Sequence, residues 1–212
     1  MSKEDEGAKQ NPVLTVLDES TNDKYSRATG RKGVGQDHEM DWLIEDVSDE
    51  LKVRGHQGGV GGQIIMKADD ETNIIALRNA LMKHHGGVVV PEQPAKNESQ
   101  SNGAVEEGCR IVSGFTRVLK EQLGDKAKMK LETDSPMIQW MIRWAAMMTS
   151  RYLVGTDGRT SYERRKGRRC DLEVVPCGEA VWYKNVREGK ERKDKLESEW
   201  EEGVARTRQA IK

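Results

Sequence analysis

Short apolar segments alternate with helical patterns in the first half of the chain, and this alternation restricts the possible folds more than any other feature. Helices are indicated where apolar residues recur every three or four positions, and strands where they form compact runs. The segment 11–21 is predicted to be a short strand followed by a turn, the further strands are 23–30, 63–69 and 86–92, and the predicted helices are 37–54 and 71–85. The order strand, strand, helix, strand, helix, strand is typical of an α/β sheet that is parallel in part.

The composition excludes several classes of protein. A net charge of −1 gives no overall attraction for nucleic acid, so any basic surface must be local. No apolar run approaches the length that spans a membrane. The three cysteines are irregularly spaced and odd in number, which indicates free thiols in a reducing compartment. We therefore expect a nuclear or cytoplasmic protein with no membrane partner.

Two longer helices follow the polar loop that runs from Gln93 to Asn102. One face of the first helix is predicted to be buried, on the stripe Val105, Cys109, Val112, Phe115, Leu119 and Leu123. Ser135 and Pro136 begin the second helix, with proline in its first turn. Its apolar stripe is typical of a core and not of a ligand site, and consists of Met137, Trp140 or Met141, Trp144 and Met148.

The amino-acid composition changes after Tyr152, and this change sets the main predicted domain boundary. We predict a disordered N-terminus at 1–10 and an α/β domain at 11–152. A basic loop and a small β region follow at 153–190, with a hairpin expected within 172–184, and a charged tail covers 191–212.

Two carboxylates form the candidate site. Asp69 ends a predicted strand, and Glu106 lies in the first turns of the helix that follows the next strand. Sites in open α/β sheets form outside the carboxyl ends of strands, and hard oxygen ligands suit Mg²⁺. Since Val105 is in the buried stripe, its neighbours diverge, which places Glu106 on one face with Arg110 and Arg117 and turns Glu107 elsewhere. The spacing alone favours simple capping of the helix dipole.

The sequence around Asp69 and Glu106 favours a catalytic role for these two residues over simple capping. The segment NESQSNGAVEE resembles the glutamine/asparagine-glycine-x-x-glutamate motif of retroelement integrases, and KADDE after an apolar strand resembles their lysine-x-aspartate segment. The 36 residues between Asp69 and Glu106 are within one residue of the family's aspartate-x35-glutamate signature. The stretch from Ser135 to Arg168 resembles the segment after the catalytic core in Pol polyproteins of retrotransposons, and VVPCGEAVWYK resembles the strand-rich piece beyond it. The resemblance covers roughly residues 11–190.

The resemblance implies a ribonuclease-H-like fold, with a mixed sheet and flanking helices. It also implies an enzyme that joins DNA strands with two Mg²⁺ or Mn²⁺ ions. Asp69 is then the second catalytic and metal-binding acid and Glu106 the third. Asp70 is the alternative to Asp69, because it matches the signature spacing, whereas Asp69 stands two residues after Lys67 as in the family. Asn102 and Gly103 belong to the expected active-site loop.

The family's first aspartate has no counterpart in the sequence. It would stand on a central strand just before the strand at 13–17, where this chain has MSKEDEGAKQ, which does not read as a strand. Asp5 lacks an apolar frame and Asp18 follows the wrong strand. We therefore expect a fold that lacks its first central strand and a chain that is inactive alone.

A basic run provides the second candidate surface. It consists of Arg164, Arg165, Lys166, Arg168 and Arg169. A solvated loop and a set of phosphate contacts without base specificity are equally good interpretations. The expected partners are DNA and a further copy of the chain. Two functions follow: an integrase-like DNA-binding protein of retrotransposon origin, or a catalytically dead α/β module that binds protein partners.

Overall fold

A computed structural model describes residues 12–29, 41–57, 63–69, 71–86, 88–92, 102–184 and 200–204. The strands are β1 (Val13–Asp18), β2 (Asp23–Ala28), β3 (Gln63–Lys67), β4 (Val88–Glu92), β5 (Ala180–Lys184) and β6 (Trp200–Val204). The helices are α1 (Asp41–Val53), α2 (Thr72–His85), α3 (Gly103–Ala127), α4 (Pro136–Tyr152) and α5 (Ser161–Lys166). The expected order of the first six elements is confirmed, while residues 1–11 and Asp70 lie outside the described part of the chain.

The strands form three separate pairs. β1 and β2 are antiparallel, β3 and β4 are parallel, and β5 and β6 are antiparallel. The β3–β4 register pairs Lys67 with Glu92, so both strands end at the same edge. The predicted parallel part of the sheet is therefore present.

Helices α1 and α2 cover one face of the β1–β2 pair. Val16 pairs with Tyr25 across the two strands, and both side chains point toward these helices. The apolar cluster there consists of Tyr25, Leu43, Ile44, Val47, Leu51, Leu77 and Leu81, with Leu14, Val16, Met66 and Ala80 packed against it. Met66 of β3 therefore packs against the same cluster as the β1–β2 pair.

Helices α3 and α4 cover the opposite face. Ala28 is three residues after Tyr25, so it points to the other side of the sheet, where it packs with Val112 and Ala145. The amide of Lys24 also donates to the Ser150 hydroxyl of α4 at 3.0 Å. The β1–β2 pair is thus enclosed between two helix layers, as expected for an α/β domain.

The predicted stripe of α4 is confirmed at its centre. Ser135 is the N-cap and accepts from the Met137 amide, with Pro136 in the first turn. Met141 and Trp144 are buried. In α3 the prediction holds less well, because Val112 is buried but Cys109 and Phe115 are exposed.

The C-terminal region differs from the sequence interpretation. The basic segment contains the helix α5, which begins with a capping box between Thr160 and Glu163. The segment 172–184 holds one strand, β5, whose partner is β6 from the stretch expected to be a charged tail. Strand pairing across a long sequence separation is not visible in local periodicity.

Arg78 of α2 is buried, with 6% of its surface exposed. Its guanidinium donates to the carbonyl of Glu92, the last residue of β4, at 3.3 Å. A long side chain on a helix can therefore turn back toward the sheet and bind a strand end, which the helical period alone does not reveal.

Among the described helices, none combines the length and hydrophobicity that crossing a membrane would require.

Candidate functional site

Asp69 lies at the edge where the two parallel strands end. β3 ends at Lys67, its partner β4 ends at Glu92, and Asp69 follows two residues after Lys67. The residue is exposed to solvent. A carboxylate at the carboxyl end of a parallel strand is in the position where α/β proteins build their sites.

Glu106 lies in the first turn of α3 and is exposed. The helix begins at Gly103, and its N-cap Asn102 makes no side-chain capping bond. The two residues expected in a loop therefore form the start of the helix. An acid in this turn interacts favourably with the positive end of the helix dipole.

The start of α3 lies against the end of β1, and Gly108 is the residue at the contact. A Cβ atom added at Gly108 would lie 3.7 Å from Lys24 Cε and 4.0 Å from Leu17 Cδ1. These are ordinary contact distances, so Gly108 is buried against side chains from the β1–β2 pair. Glu106 and Glu107 accordingly sit one helical turn or less from this contact.

Arg110 binds Glu107. Its Nε and Nη2 donate to the two carboxylate oxygens, each at 2.7 Å. The hydrogen bonds from Arg110 lower the pKa of Glu107. The helical spacing places Arg110 on the face of Glu106, and the structure corrects this detail: at an i,i+3 spacing the longer side chain reaches the neighbouring acid.

Arg117 is exposed on α3 two turns further along. Its Nε donates to the carbonyl of Ser113 at 3.3 Å. That bond to its own helix leaves most of the guanidinium facing solvent.

Asp18 has a structural role at the end of β1. It accepts hydrogen bonds from the Ser20 amide at 3.0 Å and from the Ser20 and Thr21 hydroxyls, both at 2.7 Å. Burial opposes ionisation, but these bonds outweigh it and lower the pKa of Asp18. The residue closes the turn between β1 and β2, consistent with its exclusion as the first metal-binding acid.

The carboxylates of the described residues do not form the set that a two-metal centre requires. Two metal ions in phosphodiester chemistry require a set of acids that bridges them. Within the described ranges no three residues among His, Cys, Asp and Glu lie close enough to hold a metal ion. Asp69 and Glu106 supply the hard oxygens that Mg²⁺ or Mn²⁺ prefers, but as a pair only, and their convergence remains a prediction.

The first two residues of the basic run are bound by the protein itself. Arg164 donates to both carboxylate oxygens of Asp157, at 3.0 and 2.6 Å, and to the carbonyl of Thr21 at 3.0 Å. Hydrogen bonding from Arg164 lowers the pKa of Asp157 to about 2. Arg165 Nε lies 3.0 Å from a carboxylate oxygen of Asp23.

The other three residues of the run face solvent. Lys166, Arg168 and Arg169 are exposed. Arg169 approaches Glu163 at 3.1 Å and Arg168 approaches Asp171 at 3.7 Å. Since surface ion pairs of this kind contribute little free energy, these side chains can exchange their partners for phosphates.

Sequence reasoning missed the buried charge at the start of β2. Asp23 is 1% exposed and lies 3.4 Å from Arg54 as well as 3.0 Å from Arg165, in ionic contacts that do not have hydrogen-bond geometry. The polar segment DKYSR within a predicted strand is the sequence feature that could have indicated a buried charge. Charged residues on a strand enclosed by helices require partners, and here the partners are Arg54, directly after α1, and Arg165 of α5.

No protein-family model matches the chain, and a search of curated proteins finds no match. Among solved structures, the chain is similar to one from the simian T-cell lymphotropic virus intasome in complex with PP2A regulatory subunit B56 gamma. That likeness has a TM-score of 0.50 at 12% identity and covers 91% of this chain and 60% of the other. The catalytic core domain of BIV integrase gives a TM-score of 0.46 at 16% identity, over 72% of this chain and 84% of the other, which is too low to support a fold assignment. The order of strands and helices identifies an α/β fold, and the intasome likeness is a likeness of fold alone.

Proposed function

We propose that the chain is an integrase-like nucleic-acid-binding protein derived from a retrotransposon Pol polyprotein, with DNA integration as its ancestral role. The observation that carries the proposal is the position of Glu106, an exposed acid in the first turn of the long helix of an integrase-like fold. The sequence motif around it, NESQSNGAVEE, independently supports the same assignment.

The proposed site pairs Asp69 with Glu106. Both carboxylates are exposed, and each follows one of the two parallel strands along the chain. If a divalent ion binds, these two residues hold it, and the ion would neutralise charge on a phosphate. The distance between spin labels attached at positions 69 and 106 tests the pairing, because labels on opposite faces of the sheet would exclude it.

The proposed DNA surface uses exposed cations only. Lys166, Arg168 and Arg169 extend from the end of α5, and Arg117 extends from α3. Arg164 and Arg165 support this surface indirectly, since their guanidinium groups are engaged with Asp157 and Asp23. Binding through so few cations on a chain of net charge −1 is expected to be weak and sensitive to salt.

Salt dependence tests the DNA surface. Replacing Lys166, Arg168 and Arg169 by alanine should flatten the plot of log affinity against log salt, by about 0.9 for each duplex phosphate that the variant no longer binds. Titration of a fluorescent duplex at several salt concentrations measures this slope.

A matched control removes the same charge elsewhere. Lys52, Lys83 and Lys130 are exposed on α1, on α2 and after α3, so their triple alanine variant should keep the parental slope. Equal slopes in the two variants would mean that Lys166, Arg168 and Arg169 are solvated residues that do not contact DNA. Absence of binding by the parent at low salt would remove the nucleic-acid function.

A second function has support from exposed apolar side chains. Ile65 and Val88 are 65% and 58% exposed on the parallel pair, and Trp182 on β5 is 65% exposed. Parallel strands are normally covered on both faces, so this surface also suits a module that binds protein partners. A chain that binds no DNA but associates with a partner through these residues would favour that function.

A further inference from the structure

The antiparallel ribbon formed by β5 and β6 exposes one of its two faces. Side chains at every second position of a strand share a face. On β6 the residues Trp200, Glu202 and Val204 are exposed, whereas the two residues between them are partly buried. Trp182 of β5 pairs with Glu202, so it lies on the same face, and 65% of its surface is exposed.

The other face of the ribbon is occupied by contacts between its own strands. The hydroxyl of Tyr183 donates to the carboxylate of Glu201 at 3.2 Å. The Tyr183 ring also lies close to Gly203, where an added Cβ atom would be 2.8 Å from its Cε1. These contacts stabilise the register that places Trp182 beside Glu202.

The exposed face combines two indole rings with a carboxylate. Residues directly opposite each other on one face have Cβ atoms about 4.5–5.5 Å apart, which applies to Trp182 and Glu202. Trp200 is the diagonal neighbour of Trp182, at about 7–8 Å, and is 55% exposed. Within the described ranges, the side chains of Trp182 and Glu202 form no hydrogen bond, ion pair or ring contact.

Elsewhere in the chain, an aromatic ring beside a carboxylate is occupied by arginine. Arg27 lies over the ring of Trp42, 5.6 Å from its centroid, and its Nε is 2.9 Å from a carboxylate oxygen of Asp46. The two other arginines that lie over rings in the described part of the chain follow the same pattern: Arg54 over Tyr25 and Arg165 over Tyr162, both beside Asp23. A guanidinium suits such a place, because its plane stacks on a ring while its fork of donors meets a carboxylate.

We propose that the face formed by Trp182, Trp200 and Glu202 binds an arginine side chain from a basic segment of a partner protein. The guanidinium lies against the indole rings and donates to Glu202. Nucleic-acid bases also stack on exposed aromatic rings, but the negative charge of Glu202 opposes the approach of a phosphate backbone. The inference specifies the partner for the second function named above and requires neither duplex DNA nor metal, so it is independent of the proposed DNA surface.

The experiment titrates the complete chain with a peptide in which four arginines alternate with glycine. A peptide with lysine at the same positions is the control for charge. Nuclear magnetic resonance follows the indole N–H signals, and Trp182→Phe and Trp200→Phe assign the two that matter. The arginine peptide should shift both signals to saturation. The lysine peptide should bind at least threefold more weakly, because an ammonium lacks the planar fork of a guanidinium.

Variants of the face test the role of each group. Glu202→Gln should weaken binding about twofold to fivefold, which corresponds to the loss of one exposed ion pair. Trp182→Leu should weaken it by a similar factor through the loss of a cation–π contact, whereas Trp182→Phe keeps a ring and should keep most of the affinity. Glu121→Gln, which alters an exposed acid on α3, should leave the affinity unchanged. Parental affinity in both Glu202→Gln and Trp182→Leu would overturn the proposal.

Other occupants of the face give different results. Indole signals that move with protein concentration in the absence of peptide would show that a second copy binds there. Peptide binding that appears only in Lys184→Ala would show that Lys184, which pairs with Trp200, fills the place itself. An oligothymidine that shifts the two signals when the arginine peptide does not would assign the rings to base stacking. Each of these results, or the absence of any shift, overturns the proposal.

Discussion

Arg164 illustrates how a single residue in a basic run can serve the fold. Its guanidinium donates to two oxygens of Asp157 and to the carbonyl of Thr21, which joins α5 to the turn between β1 and β2. Gly155 makes room for it, since a Cβ atom at that position would lie only 2.2 Å from Arg164 Nη2. A run of arginines in a sequence gives the charge of a segment and leaves open which of its members are bound to the protein.

Gly155→Ala should therefore lower the free energy of unfolding. The added methyl group displaces the end of the Arg164 side chain, and loss of its hydrogen bond to the carbonyl of Thr21 costs about 0.5–1.5 kcal/mol. Chemical denaturation measures the change. The control is Gly103→Ala, where nothing lies within 4 Å of the added atom. If both variants unfold at the same denaturant concentration, the close contact between Gly155 and Arg164 does not exist in solution.

At the scale of elements, α4 is the helix most enclosed by the rest of the protein. It packs against β2 on one side and α3 on another, and Met141 and Ala145 are completely buried. Since most of the helix surface is covered, its stability depends on packing more than on helix propensity.

Met141→Ala should destabilise the protein by about 2–5 kcal/mol, because it removes buried methylene and thioether groups and leaves a cavity. Met129→Ala is the matched control, since that methionine is 58% exposed and its removal should change stability by less than about 0.5 kcal/mol. Both are measured by denaturant unfolding. Similar midpoints for the two variants would contradict the buried position of α4.

The elements that the sequence predicts well are those that local periodicity defines. β1 through β4, α1 and α2 follow from apolar spacing over a few residues, and a sheet that is parallel in part follows from the alternation of strands with helices, which β3 and β4 confirm. The β5–β6 pair was missed because WEEGV is mostly polar and its partner lies 16 positions earlier. Of the candidate site, the exposure of Asp69 and Glu106 was predictable, but the binding of Arg110 to Glu107 depends on side-chain reach and was not.

For the whole molecule, charge and topology lead to the same functional expectation. A net charge of −1 with a few exposed cations at and just after the end of α5 permits weak DNA binding, which does not require a complete catalytic site. Catalysis makes a stricter demand, because the acids must hold two ions roughly 3.5–4 Å apart on either side of the reacting phosphate. The described residues contain no cluster of three acidic or metal-binding side chains.

We expect the purified 212-residue chain to produce no strand-transfer product above background in Mg²⁺ or Mn²⁺, because its sequence has no counterpart of the first aspartate of the integrases that it resembles. The assay incubates the protein with a labelled oligonucleotide duplex and a target plasmid and separates the products by size. Three variants make the outcome interpretable: Asp69→Asn, Glu106→Gln and the control Glu107→Gln, whose carboxylate binds Arg110. Product that is formed by the parent and by Glu107→Gln, but is absent in the other two variants, would contradict the expected inactivity and show that catalysis requires both Asp69 and Glu106.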